Sequence, residues 1–507
     1  MLSRYSHHLG ERYAAIGSYL GLIFPIMAIV MLVPLLTLLF VPSDVVFAPA
    51  FWIPASIFGS VGLMIRMWLG NRSNVPLDFN ESSIVVFITW ITISIAGAVP
   101  YMLISGLSFT HAVFDSVSGW TTTGLSLLDV TKAPVIVLFY RAWTQLVGGA
   151  GIAIIMLASL TGSGTHQIYS AEGKGTLIKP NVLASARIVI SIYMIYMVLG
   201  IVLYLVAGMN LLDALVHCFA AISTGGFSNY TQNIGYFDSA SIESISILLM
   251  ILGNMSFLMG YFLINGKFKS IARNGEIKVM FVSLMICIPL IYYFVAQSLY
   301  DGNGKAIRVA IFEAVSSLTT TGFSTVSYTD PAWLDGGVFI LIILMLIGGG
   351  TCSTAGGMKQ YRVYMLYKSM IWHLKSSLLP NNCVRKNYVW EGDLKAYQSD
   401  NKIVPIANFV ILYLSFFVLG SLVIAFSKDA VTGINYSLRD SLFEFASSLG
   451  TVGITIGVST THAPNHVIWI ETVGMLLGRL EFYVVFIALI KFINDAKRVT
   501  LSHFLSR

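Results

Sequence analysis

Charged residues are scarce in this chain of 507 residues, since only 11% are Asp, Glu, Lys or Arg while 56% are hydrophobic. A soluble globular protein has roughly 25% charged residues, so this composition excludes a chain that folds with water on every side. The mean hydropathy of +0.78 indicates that lipid is the solvent for most of its surface. The length far exceeds what one or two anchors require, so the membrane part is the protein itself.

Cysteine is also rare, and Cys218, Cys287, Cys352 and Cys383 lie at no metal-ligand or redox-motif spacing. We therefore predict buried structural thiols without chemistry. An intramembrane enzyme would need a nucleophile with its base, or a metal constellation, inside the spans. Most of the nine histidines lie in loops or termini and supply neither. We expect no enzyme activity, no catalytic residue and no organic cofactor.

Ten apolar runs are long enough to cross a bilayer, which takes about 20 helical residues. They lie near 17–41, 50–69, 83–105, 135–160, 187–208, 242–265, 279–298, 332–350, 403–426 and 465–492. If successive loops lie on alternate sides of the membrane, 23 of the lysines and arginines fall on one side, six fall on the other, and Arg479 falls inside a span. Because positive loops stay cytoplasmic, both termini are expected in the cytoplasm. Topology explains the basic excess, so we expect no nucleic-acid partner.

Four semi-polar segments between the spans repeat one pattern, at 114–126, 217–228, 312–324 and 443–455. Each contains a Ser/Thr/Gly cluster whose last glycine is Gly124, Gly226, Gly322 or Gly453. Nine residues before each glycine stands a polar or ionisable residue: Asp115, His217, Glu313 and Glu444. The glycines are 102, 96 and 131 residues apart, and the last interval contains a polar insertion, 375–402. Such a period predicts a repeat architecture.

The predicted fold class is therefore an all-α polytopic membrane protein. It has four pseudo-symmetric repeats of span, re-entrant helix, filter loop and span around one pore, after an extra two-helix hairpin. The predicted parts are the hairpin 1–75, the first pore repeat 76–165, the second 166–275, the third 276–374 with an intramembrane gate loop, the cytoplasmic linker 375–402, and the fourth repeat with the C-terminal tail 403–507.

The repeated cluster suits a filter for a dehydrated cation. Threonine hydroxyls add ligands, and glycine permits the backbone angles that turn successive carbonyls inward. The short helices would direct the negative ends of their dipoles to the pore axis, which favours a cation and disfavours an anion. The residues nine positions upstream either support the filter from behind or gather cations at its mouth. The candidate ligands are Thr122, Thr123, Gly124, Thr224, Gly225, Gly226, Thr320, Thr321, Gly322, Thr451, Val452 and Gly453.

The motif, its period and the preceding hairpin resemble the TrkH/TrkG family of K⁺ uptake proteins, within the superfamily that includes KtrB and plant HKT. The resemblance covers essentially the whole chain. It implies K⁺ uptake across the inner (plasma) membrane by a lipid-embedded homodimer, with a cytosolic nucleotide-binding regulatory subunit of the TrkA type. All four filter glycines are kept, which favours K⁺. The second copy departs from the pattern at Gly225 and His217. A weakly selective K⁺/Na⁺ transporter and a Na⁺- or H⁺-coupled K⁺ symporter therefore stay open.

Each span after a filter carries a glycine-rich weak point, 24, 27, 26 and 25 residues past its filter glycine. For Gly148, Gly253 and Gly478 we favour small-residue packing between helices. The third point has five glycines within 348–357, which predicts an unwound intramembrane loop. The resemblance makes that loop the gate, with the candidate residues Gly348, Gly349, Gly350, Thr351, Cys352, Ser353, Thr354, Gly356, Gly357 and Arg479.

Arg479 is a charge in the middle of a span, where it costs at least ~2.5–3.5 kcal/mol unless paired or hydrated. Two roles fit it. The resemblance implies an electrostatic barrier just under the filter, and the alternative is a structural tie to a backbone carbonyl. A secondary transporter for an organic solute would show repeats of opposite topology, whereas these four share one direction. A receptor or scaffold would have no use for a repeated filter.

Overall fold

The computed structural model describes residues 2–70, 75–151, 182–300, 302–330, 333–378, 380, 387–391, 394–397, 400–429, 431, 433 and 435–505. Most of these residues are helical, and the predicted all-α polytopic fold is confirmed. A small antiparallel hairpin, Tyr388–Glu391 with Leu394–Tyr397, lies within the predicted linker.

The N-terminal hairpin consists of helices Leu2–Leu32 and Pro49–Leu69, which pack closely against each other. Two 3₁₀ segments, Val33–Leu39 and Pro42–Phe47, connect them. Each connection has a proline in its first turn, where the missing N–H costs no hydrogen bond.

Each of the four repeats that follow has an outer helix, a short pore helix, a filter loop and an inner helix. The outer helices are Phe79–Ser105, Val182–Val206, Gly275–Ile291 and Asp400–Ala425, the pore helices are Phe109–Trp120, Leu211–Ile222, Asn303–Leu318 and Leu438–Leu449, and the inner helices are Val135–Ala150, Ala240–Asn254, Asp335–Ile347 and Asn465–Leu480. Further segments are Asn233–Phe237, Phe257–Ile264, Phe268–Arg273, Tyr292–Ala296, Gln297–Leu299, Gln360–Ser377 and Phe482–Leu505.

Three of the four pore helices begin at a side-chain cap, and all four end in buried residues. Ser108, Asn210 and Ser437 each accept a hydrogen bond from a backbone N–H in the first turn of their helix. Every inner helix packs against the pore helix of the next repeat, and the fourth inner helix packs against the first pore helix. The repeats therefore form a closed ring.

The prediction of ten spans is wrong for the four runs that contain the inner helices, because each inner helix ends or bends close to its predicted glycine-rich weak point. Among the described residues, six helices are long and apolar enough to cross a membrane, or eight if each bent pair counts as one span. The run near 242–265 bends by 115° after Asn254, and the run near 465–492 bends by 102° after Leu480. The helix in the run near 332–350 ends at Ile347. The helix in the run near 135–160 ends at Ala150, and 152–160 lies outside the described residues.

Close packing accounts for the glycines at the first, second and fourth weak points, and each of these inner helices ends within two residues of its glycine. A Cβ atom on Gly148, Gly253 or Gly478 would collide with the carbonyl oxygen of the last residue of a pore helix, namely Trp120, Ile222 and Leu449 respectively. Close packing of this kind requires glycine, and glycine in turn weakens the helix at that depth. Both effects follow from the same residues.

Large apolar side chains cover the outer surface, as expected for a protein that passes the membrane several times. Met67, Trp68 and Val206 are 83%, 86% and 82% exposed. Such exposure is tolerable where the neighbour is lipid. The prediction of buried thiols is confirmed for Cys218, whereas Cys287 and Cys352 are partly exposed and Cys383 lies outside the described residues.

Candidate functional site

The filter loops share an unusual backbone conformation. The threonine two positions before each filter glycine has a left-handed φ, with values of 56° for Thr122, 53° for Thr224, 53° for Thr320 and 51° for Thr451. A β-branched residue is a genuine outlier there, and such strain costs about 1–3 kcal/mol. The filter glycines also have positive φ, while the residue between threonine and glycine does not. This alternation turns successive carbonyls toward one side of the chain.

Each left-handed threonine ends its pore helix in a Schellman motif, a position that glycine normally takes. The N–H of the next residue donates to a carbonyl five residues back, at 2.8–3.1 Å. The four pairs are Thr123 to Ser118, Gly225 to Ala220, Thr321 to Ser316, and Val452 to Ser447. One local geometry is thus repeated four times, with strain held in place by its surroundings.

The four loops meet side by side around one axis. A Cβ atom on each filter glycine would strike a carbonyl oxygen in the next loop, in the order Gly124 to Gly225, Gly226 to Thr321, Gly322 to Val452, and Gly453 to Thr123. A Cβ on Gly453 would also lie 2.8 Å from the Cα of Gly124, which closes the ring. The carbonyl oxygens that precede the glycines therefore lie between neighbouring loops, and a side chain at any filter glycine would displace them.

A cavity of about 740 Å³ lies on the side where the chain leaves the filter, and all four filter glycines line it. The filter threonines themselves are buried. The loops thus form the floor of a vestibule on that side.

The residues nine positions before the glycines lie behind the loops and are fully buried. Each contacts the segment that leaves its filter. Asp115 accepts from the Leu127 N–H at 3.0 Å, Glu313 from the Thr325 N–H at 2.8 Å and Glu444 from the Ile456 N–H at 3.0 Å, while His217 Nε2 lies 2.9 Å from Ser228 Oγ. These contacts favour support of the filter over the alternative of gathering cations at the mouth.

The segment 348–359 is not helical and lies directly beneath the filter. Gly356 donates its N–H to Thr320 Oγ1 at 2.8 Å, and Thr354 Oγ1 lies 3.1 Å from Thr224 Oγ1. A Cβ on Gly356 would collide with the hydroxyl of Thr451. The predicted unwound loop thus contacts left-handed threonines of three repeats.

Arg479 ties this loop to the first inner helix. Its guanidinium donates to the carbonyl of Thr354 at 2.5 Å and to the carbonyls of Gly148 and Gly149, the latter at 3.0 Å. Glu481 instead pairs with Arg362 at 2.7 Å. These contacts are those expected of a structural tie to backbone carbonyls, and both roles of Arg479 stay predictions.

Three polar residues at this site escaped the sequence analysis. Glu276, at the start of an outer helix, accepts the Thr351 N–H at 2.8 Å. Lys359 has a left-handed φ of 77° and donates to the Ala355 carbonyl at the end of the loop. Gln145 contacts the second filter loop from the first inner helix. The signal that could have identified these three residues is a polar side chain next to or inside an apolar run of the sequence.

Comparisons with known proteins find relatives along most of the chain. The family model TrkH, described as a cation transport protein, matches residues 46–500. An uncharacterized cation transporter from Methanocaldococcus jannaschii is 31% identical over 85% of this chain and 86% of its own length. The Trk system potassium uptake protein TrkH of Halomonas elongata is 29% identical over 92% of this chain and 96% of its own length.

A solved structure gives the same fold. The crystal structure of the potassium transporter TrkH from Vibrio parahaemolyticus aligns with a TM-score of 0.80 at 24% identity, covering 94% of this chain and 98% of that one. Since the family model spans nearly the whole sequence, this chain belongs to the TrkH family of cation transport proteins.

Proposed function

We propose that this chain carries K⁺ across the cell inner membrane through a filter built by its four loops. The observation that carries the proposal is the closed ring of loops, each with a left-handed threonine and a glycine without room for a side chain. The relatives from Halomonas elongata and Escherichia coli are named potassium uptake proteins, which supports K⁺ as the ion.

The chemistry of the ring suits a cation that has lost its water. Carbonyl and hydroxyl oxygens replace the hydration shell, and the strained threonines hold them in position before the ion arrives. The pore helices end at the ring, so their negative dipole ends add a favourable potential. We assign the ligand role to the twelve filter residues predicted from the sequence, Thr122 to Gly124, Thr224 to Gly226, Thr320 to Gly322 and Thr451 to Gly453.

We further propose that the segment 348–357 is the gate and that Arg479 holds it closed. The loop contacts the threonines at the lower end of the filter, and Arg479 binds its Thr354 carbonyl. Opening then requires Arg479 to exchange its carbonyl partners for water or an anion. The guanidinium would repel a cation that leaves the filter, which adds the barrier role to the tie.

A second candidate function is a less selective K⁺/Na⁺ transporter or a K⁺ symporter coupled to Na⁺ or H⁺. The second loop favours the less selective transporter, because Gly225 stands where the other loops have threonine or valine. We also propose a homodimer and a TrkA-type nucleotide-binding subunit on the face that carries most lysines and arginines. Size measurement of the purified protein and co-purification with that subunit, with and without nucleotide, test these two assemblies.

Flux through purified protein in liposomes tests the proposal. We expect K⁺ flux well above Na⁺ flux, and above that of empty liposomes. Flux that persists without a pH or Na⁺ gradient indicates a channel, whereas flux that needs one indicates a symporter. Equal passage of K⁺ and Na⁺ favours the less selective transporter, and passage of neither ion contradicts the proposal.

A further inference from the structure

The first inner helix carries a polar residue where the other three inner helices carry methionine. Gln145 lies three residues before Gly148, and the equivalent residues, three before Gly253, Gly348 and Gly478, are Met250, Met345 and Met475. All four side chains are fully buried. Because a buried amide is costly unless it is hydrogen-bonded, a glutamine at this position needs a specific partner.

The partner is the second filter loop. Gln145 Nε2 donates to the Gly225 carbonyl at 2.5 Å, and Gln145 Oε1 accepts the Phe227 N–H at 3.2 Å. The amide thus bonds to the residue before and the residue after the filter glycine Gly226. Both halves of the amide are used, which fixes its orientation.

Gln145 also occupies the space of a missing side chain. A Cβ atom built on Gly225 would lie 2.6 Å from Gln145 Oε1 and 2.8 Å from its Nε2. The equivalent residues in the other loops are Thr123, Thr321 and Val452. The hydroxyls of Thr123 and Thr321 bond within their own loops, to Thr121 at 2.8 Å and to Thr319 at 2.9 Å. The loop without a side chain is the one that receives an amide from the neighbouring repeat.

We propose that Gln145 is a positioning residue that sets ion selectivity by fixing the Gly225 carbonyl in the filter. The inference rests on the proposed function, since it assigns Gly225 a place among the K⁺ ligands. The amide takes one lone pair of this carbonyl and leaves the other for an ion. Removal of the amide leaves a glycine-rich loop free to rotate its peptide groups, which loosens one quarter of the ring.

The test is Gln145→Met, which installs the residue of the other three repeats at similar length. In liposomes we expect the K⁺/Na⁺ flux ratio to fall about tenfold, because two hydrogen bonds to the filter backbone are lost. The double variant Gln145→Met with Gly225→Thr combines an inner-helix methionine with the threonine found in the first and third loops, and we expect it to recover most of the ratio. Gln297→Met, the same change at an exposed position, is the control.

Gln145→Asn replaces Gln145→Met as the test if the methionine variant fails to accumulate in the membrane. Asparagine keeps the amide but is one methylene too short to reach Gly225. We expect the same loss of ratio. A ratio unchanged in Gln145→Met or Gln145→Asn overturns the inference, as does a double variant no better than the single one. A role in stability alone would lower both fluxes together. If Gly322→Ser alters the ratio and the Gln145 variants do not, the filter stands and only the role of Gln145 fails.

Discussion

Replacement of Gly322 by serine perturbs the filter at a point where the geometry is explicit. Gly322 has a φ of +78°, in a region that costs an L-residue roughly 1–2 kcal/mol. The new Cβ would lie 2.8 Å from the carbonyl carbon of Val452 and would collide with its oxygen. One of the two loops must therefore move, and the group that moves is a proposed ion ligand.

The size of the effect follows from that strain. If a peptide rotation relieves about 1–2 kcal/mol of this strain, the ratio of the distorted ring to the competent ring rises by a factor of roughly 5–30. The pore helices and their packing are not altered, so the protein should still fold. We expect the K⁺/Na⁺ flux ratio to fall about tenfold while the amount of protein in the membrane is unchanged.

The assay is paired K⁺ and Na⁺ flux in liposomes with equal protein content. Gly336→Ser is the matched control, because Gly336 lies in the same repeat, its φ is not positive and a Cβ there would meet no atom within 4 Å. A Gly322→Ser protein that retains the selectivity of the control would refute the assignment of the loops as the filter.

Three further predictions concern the parts around the filter. Arg479→Ala removes the donors to the carbonyls of Thr354 and Gly149, so we expect basal K⁺ flux to rise at least about threefold. The control is the surface variant Arg439→Ala, and a flux equal to that of the control argues against the gate. Thr354→Val keeps the side-chain shape but loses the hydroxyl that bonds to the Gly253 carbonyl at 2.9 Å. Single-channel or flux recordings should therefore detect more frequent opening. Opening as frequent as in the unchanged protein would contradict this prediction. Glu313→Ala leaves the Thr325 N–H and the Tyr328 hydroxyl without their acceptor, at a cost of about 1–3 kcal/mol. The unfolding temperature in detergent should therefore drop by several degrees. The control is Asp335→Ala, whose side chain is 86% exposed, and a drop no larger than that of the control would show that the Glu313 carboxylate does not support the loop.

Much of the site could be predicted because it is periodic. The similar intervals between Gly124, Gly226 and Gly322, 102 and 96 residues, need no tertiary information and predict the ring of loops. The unwound segment at 348–357 followed from local glycine content. The left-handed threonines could not be predicted, since threonine disfavours that conformation and only the closed ring imposes it.

The remaining differences between the prediction and the structure come from contacts between residues that are distant in the sequence. Glycine content predicts a weak point in each inner helix, but apolar composition cannot distinguish a straight helix from one that bends after Asn254, so the sequence does not predict the bends. The partners of Arg479 are carbonyls 125 to 331 residues away, and no sequence pattern identifies a carbonyl. Gln145 is informative only when it is aligned with the methionines of the other inner helices and then found beside Gly225.

The central claim is that oxygens of four loops together hold a dehydrated monovalent cation. The most direct measurement is a crystal structure in Rb⁺, with anomalous scattering used to locate the ion. We predict a strong peak on the axis between the carbonyls of Thr123, Gly225, Thr321 and Val452, which weakens when K⁺ is added in excess over Rb⁺ and persists when Na⁺ is added instead. An ordered ring with no anomalous peak at that position would contradict the account.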